Sequence, residues 1–244
     1  MRSRDRRFGT LLATVSGNLF LVLGSLFFGT IATLFGWLPP RGNITFWCAR
    51  AWSHGLLWAS GVRIKKEFAE PLPPGPFIFM ANHRSTFDIP ALLATLPGQT
   101  RFLAKRSLFK IPIFGWALAL GGFVPVDRGN RSRARVTMTE AADRLRAGKS
   151  ILIFPEETRS LNGEMLPFKS GGFLLARESG LAVVPVGIRG TRRVERPGSL
   201  IIHPGEVEVR YGRPMEAGGL ALGAKRRFLN ELRDRVAELV GPEG

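Results

Sequence analysis

The sequence predicts an α/β protein: a mainly parallel sheet flanked by helices, preceded by an N-terminal membrane-embedded helical hairpin. Three observations carry that expectation. Residues 8–40 contain no charged side chain. A proline-rich stretch, Pro71–Pro76, separates this apolar beginning from the rest. Beyond it, short apolar runs alternate with stretches of helical periodicity, the pattern of strands joined by helices. A length of 244 residues suits one α/β domain with a small appendage rather than two full domains. The expected division is 1–63 for the helical hairpin and 64–244 for the α/β domain.

The uncharged stretch between Arg7 and Arg41 is 33 residues long. As a helix it would run roughly 50 Å, more than the ~30 Å hydrocarbon core of a bilayer. A cleavable signal peptide, whose apolar core is about 7–15 residues, is the competing reading, and this run is far longer. A second apolar segment, Ile44 to Val62, follows Pro39-Pro40-Arg41-Gly42 and carries Trp47, Trp52 and Trp58, residues suited to a membrane interface. It also holds Arg50 and His54, which lipid tolerates only at a cost of a few kcal/mol each. Small residues recur at helical spacing as Ser25, Gly29, Thr33 and as Ala51, Gly55, Ala59, stripes of the kind that let two helices approach closely. The expectation is an antiparallel hairpin bent at Pro39-Pro40 and seated in one leaflet.

In the body, strands are expected at 77–81, 101–104, 123–127, 150–154 and 182–188. Helices are expected near 86–96, 107–120, 132–147 and 170–179. Gly148 and Gly180 stand where helix C-caps belong. The segments 199–203 and 206–211 read as a β-hairpin turning at Pro204-Gly205, and a helix over about 222–240 closes the chain.

Composition narrows the function. Lys+Arg number 35 against 19 Asp+Glu, a formal net charge of +16, and only seven of the basic residues are Lys. Arginine is the side chain suited to bidentate phosphate contacts. Anionic membrane lipid or a phosphorylated substrate therefore fits. No nucleic-acid partner is expected: there is one Tyr, and the Phe and Trp residues fall mostly in apolar runs rather than among the basic residues. With one cysteine, Cys48, and three histidines, neither a disulfide framework nor a metal site is expected.

Ligands of parallel sheets collect at the carboxyl ends of strands, so the residues just after each strand matter most. Strand 77–81 runs into Asn82-His83-Arg84-Ser85-Thr86-Phe87-Asp88. A turn into a helix would let Asp88 accept one imidazole N–H of His83, leaving the other nitrogen to take a proton from a hydroxyl. The bland alternative is that Ser85, Thr86 or Asp88 simply caps the helix. Ser85 is a poor candidate nucleophile, because a triad within six residues is strained. Three further strand ends deliver Lys105, Arg128 and Arg159 toward one rim, which suggests a phosphate site. Glu156 would orient Arg159 or a backbone turn. His54 and His203 read as interface or structural residues, and Cys48 has no His or Asp near it in sequence.

These blocks resemble the glycerolipid acyltransferase family, which includes the 1-acyl-sn-glycerol-3-phosphate acyltransferases. NHRSTFD (82–88) is similar to the NHxxxxD signature, GFVPVDR (122–128) to the GxxFIDR block, FPEETRS (154–160) to the FPEGTRS block, and VPVGI (184–188) to the VPVxI block. The likeness spans about 77–213. Two departures stand out: Glu157 where Gly is usual, and Pro125 where Phe is usual. If that Gly position requires a positive φ, Glu157 is strained.

The resemblance implies that His83 is a general base, oriented by Asp88, that activates the free sn-2 hydroxyl of 1-acyl-sn-glycerol 3-phosphate. The oxygen attacks a thioester donor, acyl-CoA or acyl-carrier protein, and the product is phosphatidic acid for phospholipid biosynthesis. It further implies that Asn82, Lys105, Arg128, Glu156, Thr158 and Arg159 serve substrate binding, with no metal or other cofactor. The long acyl chain would take a groove shaped by Phe109, Ile111, Phe114 and Trp116, unless these pack the core. The expected setting is the inner cell membrane, monotopic, with the active site on the cytoplasmic face. Two alternatives stand: the same chemistry on another lysolipid, such as a lyso-ornithine lipid, and a non-catalytic basic protein binding anionic lipid.

Overall fold

A computed structural model of the chain describes residues 3–40, 42–126, 137, 141–143, 145, 147–160 and 162–242. Two long helices come first, α1 (Ser3–Phe35) and α2 (Asn43–Ala59), followed by strand β1 (Val62–Phe68). Then come β2 (Ile78–Ala81), α3 (Asp88–Thr95), β3 (Thr100–Lys105), a 3-10 turn (Arg106–Lys110), α4 (Phe114–Leu120), β4 (Val124–Val126) and β5 (Ser150–Ile153). The chain continues through α5 (Gly171–Ser179), β6 (Val183–Arg189), a short α6 (Thr191–Val194), β7 (Gly205–Tyr211) and α7 (Lys225–Val240).

The seven strands form one sheet in the order β1-β7-β6-β2-β5-β3-β4. Five neighbour pairs are parallel and only β6–β7 is antiparallel, so the sheet is mixed. All four residues of the central strands β2 and β5 are buried, as expected for strands covered on both faces. One face packs Phe79, Leu92, Val186 and Tyr211 with α2 and α3, and the other packs Ile78, Phe173, Leu232 and Val236 with α5 and α7.

The expected hairpin at Pro204-Gly205 is absent. Residues 199–203 form no strand; Ile202 instead bonds Thr14 of α1, and His203 N–H donates to the Val194 carbonyl. β7 pairs with β1, a strand the sequence hid because VRIKKEF buries only part of one face and is rich in charge. Such lysines protect a sheet edge. The expected helix 107–120 is broken at Ile111–Ile113, where a residue with φ 64° and ψ −60°, Ile113, makes a γ-turn closed by Phe114 N–H on the Pro112 carbonyl. The expected helix 132–147 lies mostly outside the described residues. Gly180 ends α5 in the left-handed conformation, as its position suggested.

Helices α1 and α2 pack against each other in opposite directions. Ser16 Oγ donates to the Ala59 carbonyl at 2.6 Å, and, further along, Trp52 Nε1 donates to Ser25 Oγ at 3.1 Å. The close approach uses only part of the foreseen stripes. A Cβ on Gly55 would meet the Phe20 ring at 2.2 Å, whereas Gly29 faces Ile113 and Ala51 is exposed. Arg50 turns away from the apolar surface. Its guanidinium donates to the carbonyls of Leu96 and Ala94, where the end of α3 offers unpaired acceptors. What remains outside is apolar: Leu11, Leu12, Val15, Leu19, Val22 and Phe27 are all more than half exposed. The 29-residue stretch Arg7–Phe35 is long and apolar enough to cross a membrane.

Candidate active site

Strand β2 ends at Ala81, and Asn82 locks it to its neighbour. Asn82 Nδ2 donates to the Ile188 carbonyl at 2.9 Å while Ile188 N–H donates to Asn82 Oδ1 at 2.8 Å. The next residue, His83, is therefore held at the carboxyl end of the sheet. Its Nδ1 lies 2.8 Å from Asp88 Oδ2, which also accepts the backbone N–H groups of Arg84 (2.7 Å) and Ser85 (2.9 Å). The Phe87 N–H in turn donates to Ser85 Oγ. Capping and orienting, which sequence left as alternatives, are thus one set of bonds: Asp88 reaches back as in a capping box and meets the imidazole with the same oxygen. A carboxylate only accepts, so Nδ1 carries the proton and Nε2 keeps a lone pair. The imidazole is sandwiched on one side by Phe154, centroids 4.0 Å apart and planes 16° apart.

The loop after β5 braces the other side of His83. Glu156 is 2% exposed; Oε1 accepts the His83 N–H and Oε2 the Leu166 N–H, both at 2.8 Å. Glu156 thus orients backbone turns and does not touch Arg159. Burial pushes its carboxyl above the ordinary range, opposed by those two N–H groups and by the nearby His83 and Arg84. Ser160 N–H donates to the His83 carbonyl, and Arg159 Nη1 donates to Thr86 Oγ1 at 2.6 Å.

His83, Thr86, Phe154, Lys105 and Arg159 all line a cavity of about 450 Å³. Away from these residues its wall is apolar, drawn from α1, α2, α3 and α4, with Phe28, Trp52, Leu93 and Leu118 among the lining side chains. The arrangement can abstract a proton from a hydroxyl at the mouth of a lipid-sized apolar chamber, with two cations beside it.

The sequence profile of the Acyltransferase family matches residues 63–189, which contain His83, Asp88, Lys105, Glu156 and Arg159. The chain belongs to the acyltransferase family. It is 32% identical over 219 residues to a 1-acyl-sn-glycerol-3-phosphate acyltransferase of Saccharomyces cerevisiae, covering 88% of this chain and 72% of that one. The corresponding protein of Pseudomonas aeruginosa is 30% identical over 214 residues, 85% and 82% of the two chains. A chloroplastic relative from Arabidopsis thaliana is 33% identical over 204 residues, and here the chain spans only 55% of the longer relative. Among solved structures, the 1-acyl-sn-glycerophosphate acyltransferase PlsC of Thermotoga maritima superimposes with a TM-score of 0.80, at 26% identity over 98% of this chain and 99% of that one.

Within this acyltransferase, the foreseen residues are largely brought together. His83, Asp88 and Glu156 form one hydrogen-bonded unit, Asn82 beside them is bonded to Ile188, and Lys105 and Arg159 stand at the cavity. Thr158 is exposed and outside the cavity wall. Arg128 lies outside the described residues. Glu157 has φ 61°, so the position does take the left-handed conformation that a glycine favours. Of the four groove residues, only Phe114 lines the cavity; Ile111 and Trp116 are 47% and 55% exposed, so they neither shape the groove nor pack the core. Ser85 is engaged elsewhere, its Oγ 2.9 Å from the Glu195 carbonyl and 2.8 Å from Glu195 Oε2. Glu195 also accepts the Thr86 N–H and so anchors the acyltransferase loop from 110 residues away. Sequence reasoning missed it and Phe154. The available signals were an isolated acid in the basic run 189–196 and an aromatic at a strand end.

Proposed function

We propose that this acyltransferase moves a fatty acyl chain from a thioester donor, acyl-CoA or acyl-carrier protein, to the sn-2 hydroxyl of 1-acyl-sn-glycerol 3-phosphate, giving phosphatidic acid. The carrying observation is the buried His83–Asp88 pair opening onto an apolar cavity that also holds Lys105 and Arg159. His83 Nε2 takes the hydroxyl proton as the oxygen attacks the thioester carbonyl. The C–O bond forms, the C–S bond breaks, and the imidazolium returns its proton to the leaving thiolate. Asp88 holds the ring and balances the imidazolium charge. No metal or other cofactor enters the scheme, because an alcohol and an activated thioester react once aligned. Lys105 and Arg159, with Arg128, hold the acceptor phosphate. Those cations favour a phosphate monoester over the head group of a lyso-ornithine lipid.

The exposed apolar faces of α1 and α2 seat residues 1–63 in one leaflet of the inner membrane, beside anionic lipid, with the α/β domain of 64–244 on the cytoplasmic side. Arg50 supports this reading, since its charge is spent on α3 rather than left facing lipid. The test is acyl transfer to lysophosphatidate by purified protein in detergent, wild type beside His83→Ala. The expected result is a fall of about 10²–10⁴-fold with lipid binding retained. Equal rates would defeat the mechanism. Basic-surface binding without catalysis predicts no product from either protein.

A further inference from the structure

A second chamber, about 370 Å³, is reached from the same loop through Arg84 and shares no lining residue with the first. Its walls carry Arg84, Arg192, Arg193 and Arg196, together with Asn162 and Glu164. Four arginines and a single acidic residue, Glu164, line it, a formal excess of three positive charges among these lining residues. The chamber is built from the same strand ends as the active site. Arg84 follows His83 beyond β2, residues 162–164 follow β5, and Arg192 and Arg193 follow β6. Successive residues of one loop thus line separate chambers: His83 the apolar cavity and Arg84, only 9% exposed, the basic one.

Gly163 has φ +90°, and a Cβ there would come within 3.3 Å of the Arg192 guanidinium, so glycine lets the backbone close over that side chain. Asn162 is held by Ser160 Oγ, and its Nδ2 ties down Glu164 Oε2 at 3.0 Å. Arg193 and Arg196 are exposed and have no carboxylate partner among the described residues.

We infer that this arginine chamber takes the phosphate groups at the far end of the pantetheine arm of the acyl donor. The inference rests on the thioester-donor reading above. The acceptor's own phosphate is excluded by connectivity: it sits two carbons from the reacting hydroxyl, and must lie on His83's side with Lys105 and Arg159. The donor's phosphates are separated from the thioester sulfur by the whole arm, so they need a cationic site away from the reacting atoms. Arginine forks match phosphate oxygens in pairs, and a partly enclosed chamber strengthens each such bond. The same phosphate chemistry is offered by CoA and by the phosphopantetheine of a carrier protein.

The test uses the full-length protein with the double substitution Arg193→Gln and Arg196→Gln, both at exposed positions. Three donors carry the same acyl chain: acyl-CoA, acyl-carrier protein and S-acyl-pantetheine, which lacks phosphate. Specificity for acyl-CoA over S-acyl-pantetheine, as a ratio of kcat/KM, is expected to fall about tenfold or more. A fall confined to acyl-carrier protein would assign the chamber to the carrier's phosphodiester instead and would equally support it. Unchanged ratios for both phosphorylated donors would overturn the inference, as would a raised KM for lysophosphatidate with the donor ratios intact. Calorimetric binding of free CoA and of the phosphopantetheinylated carrier to the resting protein needs no turnover. If no acceptor is acylated at all, retained affinity for both in the variant still overturns the inference, and weakened affinity for either still supports it.

Discussion

The loop 82–88 and the outer face of α1 are stabilised by opposite means, and each fails differently. The loop is held by carboxylates with named partners at fixed distances: Asp88 Oδ2 gathers three N–H groups, Glu156 two and Glu195 Oε2 two oxygen- or nitrogen-bound protons. Directional bonds in a buried setting make single atoms matter. The outer face of α1 holds exposed leucines, valines and phenylalanines whose effect is area, which is non-directional and spread over many residues. Identity is therefore critical in the loop and only apolarity is critical on the helix.

Asp88→Asn tests the first half most severely. The amide keeps the shape but alters what meets the imidazole, and kcat is expected to fall by about 10²–10⁴-fold with the KM for lysophosphatidate nearly unchanged. A loss in KM alone would mean that Asp88 shapes the acceptor site rather than orienting His83. On the helix, Leu19→Asp or Val22→Asp, at sites 57% and 58% exposed, introduces a charge where lipid contact is proposed. Each is expected to weaken vesicle partitioning by about 2.5–3.5 kcal/mol, while Leu19→Val changes it little and detergent activity is kept by all three. Unaltered flotation of the Asp variants would show that α1 does not meet lipid.

Glu156→Gln offers a smaller effect with a distinctive pH dependence. Gln has one acceptor oxygen for two N–H donors, so one of His83 N–H and Leu166 N–H loses its partner, at about 1–3 kcal/mol near pH 5. The folded-state pKa of Glu156 is raised above its unfolded value, so its stabilising contribution is greatest at low pH and is lost as pH rises through the folded value. Thermal melts should therefore show the penalty of the substitution shrinking from pH 5 toward pH 8. A penalty independent of pH would show that Glu156 keeps one charge state throughout. Last comes Glu157→Gly. Relief of the left-handed conformation, offset by glycine's greater unfolded freedom, is expected to raise stability by about 0.5–1 kcal/mol. A destabilised variant would mean the Glu157 side chain makes a compensating contact.

What the sequence made legible is what depends on near neighbours along the chain. The apolar run 8–40 supplies most of one long helix, which stops at Phe35 ahead of Pro39-Pro40. His83 meets Asp88 because a single turn into α3 spans the gap, and β2 and β5 are legible because fully buried strands are uniformly apolar. Tertiary structure alone decided the contacts between distant segments. Charged β1 becomes a strand only when β7 offers it a ladder, and Glu195 reaches Ser85 across 110 residues. Both chambers beside His83 are likewise assembled from strand ends and helices far apart in the chain. Local bonding leaves a trace in spacing and composition; closing a long loop leaves none, because its free energy resides in burial and pairing that exist only once the chain has folded.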